Sequence, residues 1–130
     1  MYQPINLRKK KSEVLVVHCS DPRFQTAYRK FIDNLGAYYD LLVIPGASKA
    51  VSENPSVMDK IVLLHGLHHF EAVHILDHVQ CAAFGEIQDE VKAHLEMMAK
   101  ATAALEEAIF GIKVNRHLLG DKAELKLPSS

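Results

Sequence analysis

Short apolar runs alternate with longer amphipathic stretches along the chain. The runs at 13–18, 39–44 and 72–76 are rich in valine, leucine and isoleucine and are bounded by turn-type residues, as buried β-strands are. Between the first two runs, apolar residues recur every three or four positions, which is typical of one face of a helix. These residues are Phe24, Ala27, Tyr28, Phe31, Ile32 and Leu35. The pattern predicts that strands and helices alternate.

The alternation continues through the second half of the chain. A second helix is predicted to begin at Ser56, and a third helix to span about residues 87–109. Residues 112–118 are predicted to form a fourth strand and 123–127 a short last strand, whereas 45–55 is predicted to be a polar loop. Such an order of elements predicts a three-layer α/β fold, in which a mostly parallel sheet is flanked by helices.

The strand order decides where a ligand would bind. If the third strand lies beside the first, on the side away from the second, the order is 2-1-3-4 with a short antiparallel strand last. Ligands of such sheets bind at the carboxyl ends of strands where the order reverses, which here is between the first and third strands. Cys19 follows the first strand, and His78 and Cys81 follow the third. With this order, we expect these three side chains to lie close together.

Cysteine and histidine at these positions are candidate ligands of a metal ion. A catalytic zinc site takes three protein ligands and keeps a fourth position for water or substrate. Two thiolates and one imidazole form a soft donor set, which favours zinc over magnesium or calcium. Spacing alone leaves two alternatives open, a metal site and a pair of inert buried cysteines.

Composition limits the classes of function. The length of 130 residues predicts a single domain spanning 1–130. A net charge of −1 gives no basic surface for nucleic acid, and the basic cluster at 8–11 is predicted to belong to a flexible arm over 1–12. No apolar run approaches the roughly 20 residues that cross a bilayer, and no signal peptide is visible, so we expect a cytoplasmic protein without a membrane partner. A disulfide between Cys19 and Cys81 is not expected in that compartment.

Two motifs resemble the zinc signatures of the β-class carbonic anhydrases. The stretch Cys-Ser-Asp-Pro-Arg at 19–23 matches Cys-x-Asp-x-Arg, and His-Val-Gln-Cys at 78–81 matches His-x-x-Cys. The resemblance runs from about residue 14 through the last strand, and the chain is most similar to a short bacterial branch of carbonic anhydrase-like proteins. Features shared with that branch are Arg23-Phe24-Gln25, Pro45-Gly46 and Leu67-His68.

The resemblance implies a zinc enzyme that reversibly hydrates carbon dioxide to bicarbonate and is built on homodimers or higher homo-oligomers. It assigns the zinc to Cys19, His78 and Cys81, with a zinc-bound hydroxide as the attacking group. It also implies that Asp21 accepts a hydrogen bond from this hydroxide and controls the fourth metal position. Arg23 would hold Asp21 in place by a charge-assisted pair.

Other functions stay open at this stage. The larger family commonly has glycine where this chain has Asp77 and Ala82, and these departures favour a catalytically inactive zinc-binding relative. A hydrolase of a related small electrophile, such as carbon disulfide or carbonyl sulfide, is a further alternative, and so is a thiol redox protein if metal is absent. Asp77 could orient His78 or compete for the metal, but we expect it to face solvent. Strand alternation is expected to point His18 away from Cys19. Structural or solvated roles are expected for His65, His68, His69 and His74.

Overall fold

The structure, a computed structural model, describes residues 12–127. Its strands are β1 (Val14–His18), β2 (Tyr39–Val43), β3 (Ala72–His78), β4 (Lys113–Leu119) and β5 (Glu124–Leu125). Its helices are α1 (Gln25–Leu35), α2 (Ser48–Glu53), α3 (Pro55–His68) and α4 (Glu90–Ala108). Short 3-10 turns precede α1 at Pro22–Phe24 and follow β3 at Ala82–Phe84. The predicted basic arm over 1–12 lies, except for its last residue, outside the described residues.

The five strands form one mostly parallel sheet in the order β2-β1-β3-β4-β5. β1 pairs in parallel with both β2 and β3, and β3 pairs in parallel with β4. The short β5 runs antiparallel to β4. The predicted α/β class, the 2-1-3-4 order and the antiparallel last strand are therefore confirmed.

Helices cover both faces of this sheet and bury two apolar clusters. On one face, α1 packs Tyr28 and Ile32 against Val16 of β1 and Leu76 of β3. On the other face, α2, α3 and α4 pack against residues of β1 and β3. The main contributors to this second cluster are Leu15, Val17, Val51, Ile61, Val73, Ile75, Met98 and Leu105. Within residues 12–127, no helix is long and apolar enough to cross a membrane.

Several helix ends follow directly from local sequence. Asp21 caps the 3-10 turn before α1 by accepting a hydrogen bond from the backbone N–H of Arg23. Gly36 ends α1 with a left-handed φ of 60°, which glycine adopts at little cost. Asn54 caps α3 by accepting from the backbone N–H of Ser56, so the cap lies two residues before the predicted one.

The predicted polar loop over 45–55 is wrong in part, because it contains α2. This helix has only six residues, too few to show a repeating apolar pattern, and buries Ser48 and Val51 one turn apart. β3 is also two residues longer than predicted, since it continues through Asp77 and His78. That extension brings one candidate ligand into the strand itself.

Gly46 connects β2 to α2 at a point of close packing. Its φ is +86°, and a Cβ added there would lie 3.0 Å from the Cβ of Ala83. Ala83 belongs to the turn directly after Cys81. Gly46 therefore allows the β2–α2 connection to lie against the segment that carries Cys81.

Gly46→Ala is expected to lower the free energy of unfolding by about 1–3 kcal/mol, because alanine is strained at this φ and its Cβ meets Ala83. Gly66→Ala is a matched control, since nothing lies within 4 Å of a Cβ added at that position in α3. The control should gain about 0.5–1 kcal/mol, because alanine favours helix over glycine. Urea denaturation measures both changes, and a neutral or stabilising Gly46→Ala would contradict this account.

Candidate metal centre

Parallel pairing brings the ends of β1 and β3 to the same edge of the sheet. His18, the last residue of β1, pairs with Leu76. β3 continues two residues beyond this pair and ends at His78. Cys19 comes directly after β1, and Cys81 lies three residues beyond the end of β3. The expectation that these side chains lie together is confirmed in residues 12–127, where Cys19, His78 and Cys81 form a buried group that could hold a metal ion.

The three potential ligand atoms have spacings suited to one small cation. They all lie within 4.8 Å of one another, and the two Sγ atoms are 4.0 Å apart. Zinc–sulfur bonds of about 2.3 Å at a tetrahedral angle would place two sulfurs about 3.8 Å apart. Both cysteines are free, so no disulfide competes for the sulfur atoms in this conformation. The donor set is two sulfurs and one nitrogen, which suits zinc.

The ring of His78 is oriented so that one nitrogen faces the two sulfurs. Its Nδ1 lies 2.8 Å from the carbonyl oxygen of Val79, which can only accept, so Nδ1 carries the hydrogen. Nε2 is then the lone-pair nitrogen, and it is buried without a hydrogen-bond partner among residues 12–127. The ring of Phe24 packs on the imidazole at a centroid distance of 4.3 Å. A buried, unpartnered nitrogen held in this way fits a metal ligand.

The thiol of Cys81 lies in an environment that disfavours its free anion. Burial and, to a smaller extent, the neighbouring Cys19 raise the pKa of Cys81 to about 11, although backbone N–H groups of Ala83 and Phe84 act in the opposite direction. A cation between the sulfurs would stabilise the thiolate, so metal binding should release a proton from Cys81 near neutral pH.

Asp21 and Arg23 form a charged pair beside the ligand atoms. Arg23 Nη2 donates to Asp21 Oδ2 at 2.7 Å, and Nε lies 3.1 and 3.2 Å from the two carboxylate oxygens. These hydrogen bonds hold the pKa of Asp21 at about 2. Asp21 Oδ2 is also 3.7 Å from Nε2 of His78. The carboxylate therefore stays ionised at neutral pH, next to the position where a metal would bind.

Arg23 also bonds to the segment between the two ligands of the second motif. Its Nη2 donates to the carbonyl oxygen of Gln80 at 2.8 Å, and its Nη1 lies 3.4 Å from Gln80 Oε1. One guanidinium thus connects Asp21, near the first ligand, to the loop that separates His78 from Cys81. Arg23 belongs to a sequence motif, but the motif does not predict its contact with Gln80.

Comparison with known protein families identifies the family of this chain. A family model described as "Putative carbonic anhydrase" matches residues 9–127. The chain belongs to that family. An uncharacterized protein of Rickettsia bellii is 27% identical over 126 residues, covering 84% of this chain and 77% of that protein. An uncharacterized protein of Rickettsia conorii is 28% identical, with coverage of 84% and 68%.

Solved carbonic anhydrases share the fold of this family member. The enzyme of Streptococcus mutans superposes with a TM-score of 0.64 at 16% identity, covering 93% of this chain and 82% of that one. A β-carbonic anhydrase of Trichomonas vaginalis gives 0.66 at 11% identity, with coverage of 94% and 84%. At these identities the likeness shows the fold, and the resemblance to β-class carbonic anhydrases expected from the motifs is confirmed.

The expectation that Asp77 faces solvent is wrong. Asp77 is 1% exposed and points to the face of the sheet opposite His78. Its carboxylate accepts from the backbone N–H of Ser48 at 3.0 Å, from Ser48 Oγ at 2.5 Å, and from His94 Nδ1 at 2.8 Å. These hydrogen bonds compensate for the burial of the Asp77 carboxylate, and their donors lie far from Asp77 in the sequence.

Sequence reasoning missed His94, although its position carried a signal. It lies on the buried face of α4, with Met98, Ala101 and Leu105 following at helical spacing. A histidine in an apolar stripe requires a buried polar partner, and Asp77 is that partner. The partner itself could not be found from spacing, because it depends on how α4 packs on the sheet.

The other histidines mostly have local structural contacts, in agreement with the expectation. His68 Nδ1 lies 2.8 Å from a carboxylate oxygen of Asp40, and His74 Nδ1 lies 3.0 Å from Nε2 of His117.

His18 stacks on Tyr28 at 4.0 Å, on the side of the sheet covered by α1. Cys19 packs in the same cluster, so His18 does not point to the opposite side. Strand alternation does not apply there, because Cys19 lies beyond the last residue of β1.

His74 gives a testable dependence of stability on pH. Burial lowers its pKa and His117 lowers it further, while Glu124 acts in the opposite direction. The folded state therefore binds this proton less readily than the unfolded state, whose pKa is about 6.5. The contribution of neutral His74 to the free energy of unfolding is therefore complete above about pH 6.5 and is lost as the pH falls below that value.

In metal-free protein, the wild type should lose more free energy of unfolding than His74→Gln when the pH falls from about 7.5 to about 5.5. Urea denaturation at the two pH values measures the difference, and the remaining histidines largely cancel between the two proteins. An equal loss in both proteins would show that His74 does not contribute.

Proposed function

We propose that this chain is a zinc-dependent enzyme that reversibly hydrates carbon dioxide to bicarbonate. The observation that supports it most is the ionised Asp21, held by Arg23 with its carboxylate oxygen 3.7 Å from Nε2 of His78. A purely structural zinc site needs four ligands and no such charged pair. Membership of the carbonic anhydrase family supports the same reaction.

Cys19, His78 and Cys81 are the proposed zinc ligands, and they leave one coordination position for water or substrate. When bound, zinc lowers the pKa of a coordinated water from about 15.7 to about 7 and so supplies a nucleophile at neutral pH. The ligand atoms are buried, so the reaction would take place where water is largely excluded and electrostatic interactions are strong.

Asp21 has the proposed role of orienting the nucleophile. Because its pKa is about 2, its carboxylate can only accept hydrogen bonds at neutral pH. Accepting from the O–H group of the nucleophile would turn the oxygen lone pair toward carbon dioxide. Arg23 keeps the carboxylate in this orientation, and loss of that pair would let Asp21 move onto the fourth coordination position. The pair therefore controls access to the metal.

A homodimer is part of the proposal, and the edge strand β2 is the surface that supports it. Within residues 12–127, β2 pairs with β1 alone. Tyr39, Leu41 and Val43 point to the same face of this strand and are 40, 44 and 44% exposed. An unpaired edge with a row of exposed apolar side chains is a typical place for a second chain to pack.

A cytoplasmic location is also proposed, from the chemistry of the ligands. Two of the three proposed ligands are thiolates, which oxidising compartments convert to disulfides. The Sγ atoms of Cys19 and Cys81, 4.0 Å apart, are near enough for oxidation to close a disulfide after a small movement. A reducing compartment keeps both sulfurs available for zinc.

Zinc-loaded protein should hydrate carbon dioxide well above the buffer rate in stopped-flow measurements, and Asp21→Ala should lower kcat/KM by about 100-fold. The reason is that Asp21 orients the nucleophile without binding zinc in the active form. Asp33→Ala, on the exposed face of α1, is the matched control and should keep wild-type turnover. Zinc content must be close to one per chain in all three proteins.

Absence of turnover in protein that holds one zinc per chain would contradict the proposed reaction. The chain would then be a zinc-binding relative without this activity, and the same protein should be tested with carbon disulfide and carbonyl sulfide. Loss of zinc from Asp21→Ala would show instead that Asp21 is itself a permanent ligand.

The proposed dimer predicts that Leu41→Glu shifts the protein toward monomer, because it places a charge in the apolar row of β2. Phe110→Glu is the control, since this fully exposed residue precedes β4, which β1 and β3 separate from β2 in the sheet. Light scattering coupled to gel filtration measures the mass of each variant. A wild type that is monomeric at all concentrations, or a dimeric Leu41→Glu, would contradict the use of this surface.

A further inference from the structure

We propose that Glu90, at the start of α4, is a positioning residue of the metal centre and acts through Gln80. The inference rests on the proposed zinc site. No motif of the sequence marks Glu90, and it lies ten positions after Gln80. Four features of the structure support this role.

Gln80 has a backbone conformation that the surroundings must hold in place. Its φ is +56°, in the left-handed region that non-glycine residues seldom adopt. The residue sits between His78 and Cys81, so a rotation of its peptide would move the two proposed ligands relative to each other. A strained residue persists only where its neighbours fix it.

Glu90 supplies one of the contacts that fix Gln80. Its Oε1 accepts a hydrogen bond from the backbone N–H of Gln80. On the other side of the same residue, the Gln80 carbonyl accepts from Nη2 of Arg23 at 2.8 Å. Gln80 is therefore held from both sides, by an anion at its N–H and by a cation at its carbonyl.

The arrangement connects Glu90 to the charged pair at the proposed catalytic position. Arg23 divides its Nη2 between Asp21, at 2.7 Å, and the Gln80 carbonyl, at 2.8 Å. If the Gln80 carbonyl turned away, Arg23 would lose a contact that fixes its guanidinium. The orientation of Asp21 would then be less well defined. Glu90 thus affects both the spacing of the ligands and the Asp21–Arg23 pair.

On the opposite face of the sheet, Glu90 lies against the buried side chain of His94. Its Oε1 lies 3.5 Å from Nε2 of His94, one helical turn further along α4. His94 Nδ1 donates to Asp77, which also accepts two hydrogen bonds from Ser48. His94, Asp77 and Ser48 are all fully or almost fully buried. The buried imidazole of His94 therefore limits where the Glu90 carboxylate can lie, although its Nε2 makes no hydrogen bond within residues 12–127.

The proposed action of Glu90 is on the loop between the ligands and not on a substrate. Asp77 and His78 are neighbours in β3, so their side chains point to opposite faces of the sheet. The contacts of Glu90 in the structure are to the Gln80 backbone and to His94. Its role is therefore to position the loop. A simple effect on helix α4 is the competing explanation, because an acidic residue in the first turn also stabilises a helix.

The test compares wild type with Glu90→Ala, Glu90→Gln and Glu96→Ala. Zinc affinity is measured by competition with a chromophoric chelator, and the ligand geometry by the visible spectrum of the cobalt(II)-loaded protein. Glu90→Ala should bind zinc about 10-fold more weakly and should change the cobalt spectrum. Glu90→Gln should keep the wild-type spectrum, because its amide oxygen can still accept from the Gln80 N–H. Glu96→Ala, on an exposed part of the same helix, should match wild type.

Hydrogen exchange in the metal-free protein separates this inference from the proposed function. The Gln80 amide should exchange faster in Glu90→Ala than in wild type or Glu90→Gln, whether or not the protein binds zinc. If Glu90→Ala does not fold, Glu90→Asp replaces it, since it keeps the charge but shortens the reach, and the same weakening is expected. Zinc affinity, cobalt spectrum and Gln80 exchange that all equal those of Glu96→Ala would overturn the proposal. Failure of wild type to bind zinc would contradict the proposed function instead.

Discussion

The parallel pairing of β1 with β3 is the constraint on which the candidate centre depends. It places His18 level with Leu76, so the segments after both strands leave the sheet at one edge. Sixty-two positions separate Cys19 from Cys81, yet their sulfurs lie 4.0 Å apart. A slip of one residue in β3 would turn His78 to the opposite face and bring Asp77 toward the sulfurs. The packing of α1 on one face, and of α2 and α4 on the other, therefore fixes the ligand set through the register.

Charge balance explains why the residues around the sulfurs belong together. In a metal-bound centre, two thiolates and the Asp21 carboxylate would carry three negative charges, which a zinc ion and the Arg23 guanidinium would neutralise. Burial makes such a balance necessary, because an unpaired charge away from water is costly. Without metal, burial raises the pKa of Cys81 to about 11, which keeps its thiol protonated. On the opposite face, the buried Asp77 carboxylate accepts hydrogen bonds from Ser48 and His94.

The sequence predicted the strand order and the group of candidate ligands, because both depend on features that are local in the chain. Alternating apolar runs indicate parallel strands, and residues directly after such strands share an edge. Prediction from the sequence failed where hydrogen-bond partners come from distant elements. Asp77 was expected to face solvent, since its donors, Ser48 and His94, lie 29 and 17 positions away. The contacts of Gln80 with Arg23 and Glu90 likewise depend on how α4 and the 3-10 turn pack, which no motif encodes.

X-ray absorption at the zinc edge of the zinc-loaded protein tests the proposed centre most directly. The account predicts two sulfur scatterers at about 2.3 Å, with nitrogen or oxygen scatterers at about 2.0–2.1 Å completing four-coordination. Cys81→Ser should then lose one sulfur from this shell. A shell that contains only nitrogen and oxygen would contradict the claim that Cys19, His78 and Cys81 bind the metal.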